Sequence, residues 1–546
     1  MMREIDEQLA GQKADLVITP VGVGSLAQSV VSHCKSSGRG FPVATVEPDT
    51  AACLWKSLVK GTSTPIKTYS TIMSGLDCGS VSSTAWPLLK AGVDASLTVS
   101  DYESHVACQD LRENMEINAG PCGASPLAAL RRLTESDKKR LGLGKNSVVV
   151  LLCTEGSRGY DIPRDVSQVD PIALTQTLVQ INSASPGLGS VPGPGEGEIA
   201  RFIAAWLEYR DIETHWVEPT EGRPSVVGVV RGSGGGKSLM FNGHIDTVTL
   251  IGYDDDPLSG KLQDGKIYGR GSADMKGGIA AAMVALANVA EGKPLAGDVI
   301  FTGVADEEAL SIGTEQILEA GWRADAAIVS EPTNLEIVHA HRGFVWVEVK
   351  IHGVAAHGSR ADLGVDAISK AGYFLVEFDK YSQGLLTNGK QDPVVGSGSA
   401  HASIISGGEE ESSYPALCTI ALERRTIPGE TTQHIEREIA KLVESSLKGL
   451  KHEIRVTMER PPFHIAQDHP FSNLVVRHVG QTMGGEAVIT GGKFWTDCAL
   501  LAEKGIPALL WGPKGEGLHA KEEWVEADSV ALVSKTLTRI AEEFCK

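Results

Sequence analysis

Between residues 239 and 511 the chain repeats one pattern: a short apolar run that stops abruptly at glycine, serine or acidic residues. SLMFNG precedes His244, DVIFTGVA precedes Glu307, AAIVS precedes Glu331 and ALLWG precedes His519. Each run is long enough for a buried strand, and its abrupt end predicts a change to loop. GGIAAAMVALANVA, after Asp274, reads as a buried, Ala-rich helix. Such alternation predicts an open α/β sheet, whose ligands gather at the strand carboxyl ends.

From about Gly343 to Glu459 the period changes. FVWVEVKIHG, HASIIS, ALCTIALERR and HEIRVTM alternate like half-buried strands. LGVDAISKAGYFLVEFDKY and TTQHIEREIAKLVESSL carry helical apolar spacing. The order β-α-β-β-α-β predicts an inserted ferredoxin-like α+β domain. If ALCTIALERR is a strand, Arg424 and Arg425 face opposite sides of its sheet.

The first 160 residues form a separate pattern. ADLVITPVGVGSLAQSVVSHCK reads as strand, Gly-containing loop and helix, and PVATVEP as a second strand. Gly22, Gly24 and Ser25 at a helix start make a candidate phosphate cradle, and a simple tight turn explains the same residues equally well. The Gly/Pro-rich SASPGLGSVPGPGEGE precedes a helical IARFIAAWLEYR, and the linker is expected near residues 157–172.

The chemistry-bearing residues fall where the strands should end. In chain order they are His244 and Asp246 in FNGHIDT, Asp274 in GSADMKGG, Glu307 and Glu308 in VADEEA, Glu331 in VSEPT, and His519 in GLHAKEEW. Two imidazoles with several carboxylates suit one or two zinc-like ions, which take nitrogen and oxygen ligands. An acid left over after ligation can act as a general base, so the set reads as a hydrolytic site. Adjacent residues on one strand or loop are not expected both to face the metals, and the residues alone leave Glu307 and Glu308 free to exchange roles.

Carried by these motifs, the chain from about residue 170 to its end resembles the M20 family of metallopeptidases. That family includes acetylornithine deacetylase, succinyl-diaminopimelate desuccinylase, glutamate carboxypeptidases and aminoacylases. The resemblance implies two zinc ions, replaceable by cobalt, that share Asp274. His244 and Glu331 would hold one ion, Glu308 and His519 the other, and Asp246 would hydrogen-bond the far nitrogen of His244. Glu307 becomes the general base toward a metal-bridged water. Glu at 331 rather than Asp leans toward deacylases and carboxypeptidases. The inserted domain corresponds to the family's lid, through which a homodimer is expected. His357 in GVAAHGSRA matches a lid histidine that stabilises the oxyanion, often across the dimer. Arg425 matches an arginine that grips a substrate carboxylate. His401 departs from the pattern, standing where many members carry Asn.

TIMSGLDCGSVSSTAWPLL, INAGPCGASPLAALRRL and VVVLLCTEGSRGYDIP resemble the C-terminal part of diaminopropionate ammonia-lyase, a fold-type II pyridoxal-phosphate enzyme. None of the lysines between Lys13 and Lys145 matches that family's Schiff-base lysine. Pyridoxal phosphate is therefore not expected as a covalent aldimine, although the Gly22–Ser25 loop offers it a phosphate site. The region reads as a catalytically dead remnant or part of a truncated gene product.

Length and charge agree with this division. At 546 residues the chain suits several domains. The expected set is a partial lyase-like α/β domain at 1–160, a di-zinc catalytic domain at 173–342 and 460–546, and a lid at 343–459. A formal charge of −19 argues against nucleic acid or anionic membranes as partners. No apolar stretch approaches a membrane span, and MMREIDEQLAGQ lacks a signal-peptide core. Nine cysteines without framework spacing favour reduced thiols in the cytoplasm. The expected activity is hydrolysis of a small N-acyl amino acid. The alternatives are an M20 dipeptidase or carboxypeptidase, a bifunctional protein with residual lyase activity, and a silent binding protein.

Overall fold

The computed structural model describes residues 2–36 and 39–546. The chain divides into two compact units, Met1–Ser167 and Gln168–Lys546.

The first unit is a four-stranded sheet built from β1 (Leu16–Pro20), β2 (Val43–Pro48), β3 (Ala95–Val99) and β4 (Val149–Leu151), ordered β3-β2-β1-β4 with every pairing parallel. Parallel strands are buried on both faces, which is why LVIT and VATV carry no polar alternation. Leu16 and Ile18 enter the core on one face, and Val17 and Val21 the core on the other. The loop Val21–Gly24 leads from β1 into helix α1 (Ser25–Cys34).

In the second unit, strands β5 (Glu213–Val217), β6 (Ser225–Val230) and β7 (Leu239–His244) precede helix α2 (Gly277–Glu291). They are followed by β8 (Val299–Val304), β9 (Ala326–Val329) and β10 (Ile337–His341). Helix α2 is buried almost all round, as its Ala-rich, charge-poor sequence requires.

The chain then leaves for the lid. Strand β11 (Gly343–His352), helix α3 (Ala367–Asn388), strands β12 (Ser399–Gly407) and β13 (Leu417–Thr426), helix α4 (Thr432–Ser446) and strand β14 (His452–Arg460) follow in that order. The lid sheet is antiparallel, ordered β12-β13-β11-β14, the ferredoxin-like arrangement. Phe374 and Phe378 of α3 and Ile435 and Ile439 of α4 cover its Val345–Val347–Val349 face.

On returning, the chain forms β15 (Phe463–His464), β16 (Ile489–Gly492), β17 (Ala508–Leu510) and helix α5 (Ala527–Phe544). The main sheet has nine strands along the path β15-β10-β17-β9-β7-β8-β6-β5, with β16 paired to β10. Arg460 ties the last lid strand to the catalytic part, donating to Glu315 at 2.9 Å and to the Leu310 carbonyl.

Candidate metal centre

Four neighbouring strands, β8, β7, β9 and β17, run parallel, so their carboxyl ends form one edge. His244 is the last residue of β7 and lies opposite Val304 in the ladder. Glu307 and Glu308 follow β8, Glu331 follows β9, and His519 lies in the loop after β17. Asp274 occupies the kinked turn ahead of α2. A Cβ at Gly278 would lie 1.9 Å from the Ser330 carbonyl, so glycine there lets the α2 end approach the Glu331 segment.

Asp274 stands between the two imidazoles. Its Oδ1 is 3.0 Å from His244 Nε2, and its Oδ2 is 3.4 Å from His519 Nε2. Glu331 Oε1 lies 3.7 Å from the same His244 nitrogen, and Glu308 Oε2 lies 3.0 Å from the same His519 nitrogen. Ligand atoms of His244, Asp274 and Glu308 all fall within 4.8 Å of one another. The distances sort the residues into two groups with Asp274 common to both.

The cluster concentrates buried negative charge. Burial, reinforced by Asp274, Glu308 and Asp497, pushes Glu331 up to about 8 against the pull of His244. Burial and Asp274 push Glu308 up to about 6. Glu307 is raised well above the carboxylate range, first by burial and then by Glu331, Asp497 and Glu308. Hydrogen bonds that the imidazole donates to Asp274 and Glu308 carry His519 up to about 10. Buried carboxylates in excess of nearby cations are the condition that bound divalent ions relieve, and the nitrogen and oxygen donor set suits zinc. The residues present fit such ions.

His244 Nδ1 faces the backbone oxygen of Asp246 at 3.1 Å, while the Asp246 carboxylate is farther away at 3.6 Å. That carboxylate, still paired with the imidazole, also accepts the backbone N–H of Glu307 at 3.1 Å and of Glu308 at 3.3 Å. Glu307 and Glu308 do not divide inward and outward. They lie in a turn rather than a strand, after Asp306 with φ of 65°, and both carboxylates face the cluster.

The lid residues are placed less uniformly. His357 sits exposed in the loop after β11, where its Nδ1 bonds Ser359 at 2.8 Å, and no described contact joins it to the metal-site residues of its own chain. Arg424 is buried against Tyr381 and Glu430, whereas Arg425 lies over Phe344 on the open face. Glu423 pairs with Arg425 at 2.5 Å and with His401 at 3.4 Å.

Several supporting residues escape a reading of the sequence. Arg223 pairs with Glu196 at 2.6 Å and Asp306 at 2.5 Å, and Asp306 N–H donates to Glu196 at 3.2 Å. This buried network holds the turn that carries Glu307. Asp497 accepts from Thr314 at 2.7 Å, and burial pushes it up to about 6. In sequence these are isolated charges that look like ordinary surface residues, so no signal marks them.

The family model described as peptidase family M20/M25/M40 matches residues 240–543. The chain belongs to that family. An acetylornithine deacetylase from Myxococcus xanthus is 30% identical over 332 residues, covering 59% of this chain and 84% of the relative. An N-formyl-4-amino-5-aminomethyl-2-methylpyrimidine deformylase from Halalkalibacterium halodurans is 28% identical over 425 residues, covering 70% of this chain and 96% of the relative. Among solved structures, an M20 family metallo-carboxypeptidase from Sulfolobus solfataricus shares the fold with a TM-score of 0.58 at 16% identity, covering 69% of this chain and 99% of that one. As an M20 member the protein is a metal-dependent hydrolase of amide or peptide bonds.

Residues 1–155 match the model described as pyridoxal-phosphate dependent enzyme. The local packing does not fit an aldimine site. A Cβ at Gly22 would lie 3.0 Å from Cys78 Sγ, and one at Gly24 would lie 2.8 Å from Leu89 Cδ1. These glycines thus accommodate the chain's own residues 75–89. The start of the helix Pro121–Arg132 is filled by Glu155, which accepts the Cys122 N–H at 2.7 Å. Lys35 is engaged by Asp94 and Lys90 by the Gly61 carbonyl.

Proposed function

We propose that this protein is a zinc-dependent amidohydrolase that removes a small acyl group from an N-acylated amino acid or related amine. The carrying observation is Asp274 set between His244 and His519, with Glu331 and Glu308 completing two groups of nitrogen and oxygen donors. His244, Glu331 and Asp274 would hold one ion, and His519, Glu308 and Asp274 the other. Two divalent ions held there supply Lewis acidity toward an amide carbonyl and acidify water.

Glu307 is a buried carboxylate beside this set that, among the described contacts, neither imidazole engages by hydrogen bond. It accepts a proton from the attacking water and returns it to the leaving nitrogen. Asp246 and the Arg223–Asp306 pair fix the backbone from which Glu307 projects. Arg425 grips the substrate carboxylate by exchanging Glu423 for it. His357 donates to the developing oxyanion of a partner subunit. In support of a dimer, β12 is an edge strand of the lid sheet and leaves Ile404 67% and Ile405 53% exposed.

Both curated relatives cited above are named for removing an acyl group from an amine, which favours deacylation over dipeptide cleavage. All nine cysteines are free and most are buried, in keeping with a cytoplasmic setting. No helix among the described residues is long and apolar enough to cross a membrane. The first unit carries no lyase chemistry in this reading. The test is metal analysis together with turnover on N-acetyl and N-formyl amino acids and on dipeptides. Chelation should abolish acyl release and zinc should restore it, and a chelator-resistant activity would refute the proposal.

A further inference from the structure

Glu523 is fully buried, four residues beyond His519, in a segment whose acidic run KEEWVE looks like solvent-facing charge. Its carboxylate serves neither imidazole. Oε1 accepts the backbone N–H of Ala273 and of Asp274, both at 3.0 Å. Oε2 accepts the N–H of Gly271 at 3.0 Å and Nη1 of Arg270 at 2.8 Å. Arg270, itself buried, uses its other donors on the carbonyls of Ala520 at 2.7 Å and Thr249 at 3.3 Å. One ion pair therefore gathers the turn that projects Asp274 and the loop that projects His519, across 249 residues of sequence.

We infer that Glu523, braced by Arg270, is a positioning residue that sets Asp274 against His519 and so builds the cation site of Asp274, Glu308 and His519. The inference rests on the two-metal reading given above. His244 ends a strand and Glu331 lies two residues beyond another, so the sheet itself fixes their backbone. Asp274 and His519 lie in turns, where the direction of each Cα–Cβ bond depends on what holds the peptide planes. Converging the Ala273 and Asp274 amides on one oxygen fixes the plane immediately before the Asp274 side chain. A glutamine at 523 has one acceptor oxygen where the carboxylate has two, and its NH₂ group would face donors. The damage should fall on one cation and spare the other.

The test is cobalt(II) titration of metal-stripped full-length protein, wild type beside Glu523→Gln, followed by visible absorption and calorimetry. Thermal melting of the apo proteins reports folding separately. Wild type should bind two equivalents. Glu523→Gln should bind the first normally and the second about 10–100-fold more weakly, with an altered visible band for that equivalent. Arg270→Lys keeps a positive charge beside Glu523 but loses the fork that joins Glu523 to the Ala520 carbonyl, and should shift the same equivalent. It decides the matter if Glu523→Gln does not fold. A variant that melts earlier yet binds both equivalents with wild-type affinity and spectrum would show a purely structural ion pair and overturn the inference. Wild-type protein that takes up no cobalt would instead overturn the metal-centre reading, and this inference with it.

Discussion

The Asp246 carboxylate accepts the backbone N–H of Glu307 at 3.1 Å, joining the end of one strand to the turn that carries the proposed base. With its other oxygen taking the Glu308 N–H, both carboxylates are aimed by one anion. Asp246→Asn keeps the size but replaces an acceptor oxygen by a donor, so one of the two amides loses its partner. Activity should fall about 10–100-fold, the usual cost of losing a supporting group at a metal site. Steady-state kinetics at saturating zinc checks this, and unchanged kcat would show that the clamp is dispensable.

The neighbouring arginines should separate stability from binding. Arg424 donates to Glu430 at 2.7 Å and to the Tyr381 hydroxyl at 3.0 Å inside the lid. Arg424→Met should destabilise by about 3 kcal/mol, because the half-buried Glu430 loses its cation and keeps only the Ile427 N–H. Arg425→Met, on the open face, should leave denaturant unfolding nearly unchanged and weaken kcat/KM for a carboxylate-bearing substrate by about 1.5–3 kcal/mol. The two midpoints and the two kinetic constants form the comparison.

His341 gives a pH signature away from the metal site. Burial pushes its pKa down from 6.5 to about 4, and Nδ1–H donates to the Arg342 carbonyl at 3.0 Å. The unfolded chain takes up this proton from near pH 6.5, whereas the folded protein resists until near pH 4. Stability is therefore lost as pH falls through that window, by up to about 3 kcal/mol. His341→Asn retains a donor but not the titration. Urea unfolding at pH 7 and pH 4.5, with chelator present, should show a smaller acid loss in the variant than in wild type.

The first unit should be separable. Its two apolar cores contain residues of that unit alone, and every proposed catalytic residue lies in the second. Deleting residues 1–167 should leave a folded, zinc-binding hydrolase with wild-type turnover. A truncated protein that folds and loads zinc but is inactive would assign the first unit a role in the reaction.

The main features were legible because they leave periodic traces. Apolar runs ending at His244 and shortly before Glu307 and Glu331 marked the carboxyl edge of a parallel sheet. Strict alternation in FVWVEVKIHG marked the lid. The side chains that aim the ligands left no trace. Glu523 and Arg270 meet across a long stretch of chain, as do Glu196 and Asp306 through Arg223, and a buried charge has the same letter as an exposed one. That Glu307 and Glu308 both turn to the cluster was equally hidden: Asp306 in the left-handed region sets a turn whose geometry a single sequence does not specify. Asp246 sits near His244 in sequence, and its further grip on amides about sixty residues away left no trace.

The most direct measurement of the central claim is single-turnover and steady-state release of free amine from an N-acetyl amino acid by Glu307→Gln, with metal content determined on the same samples. The substitution removes the proton acceptor and deletes no proposed ligand. The variant should carry as much zinc as wild type while its kcat falls about 10²–10⁴-fold. A fully metallated Glu307→Gln protein with wild-type kcat would contradict the account.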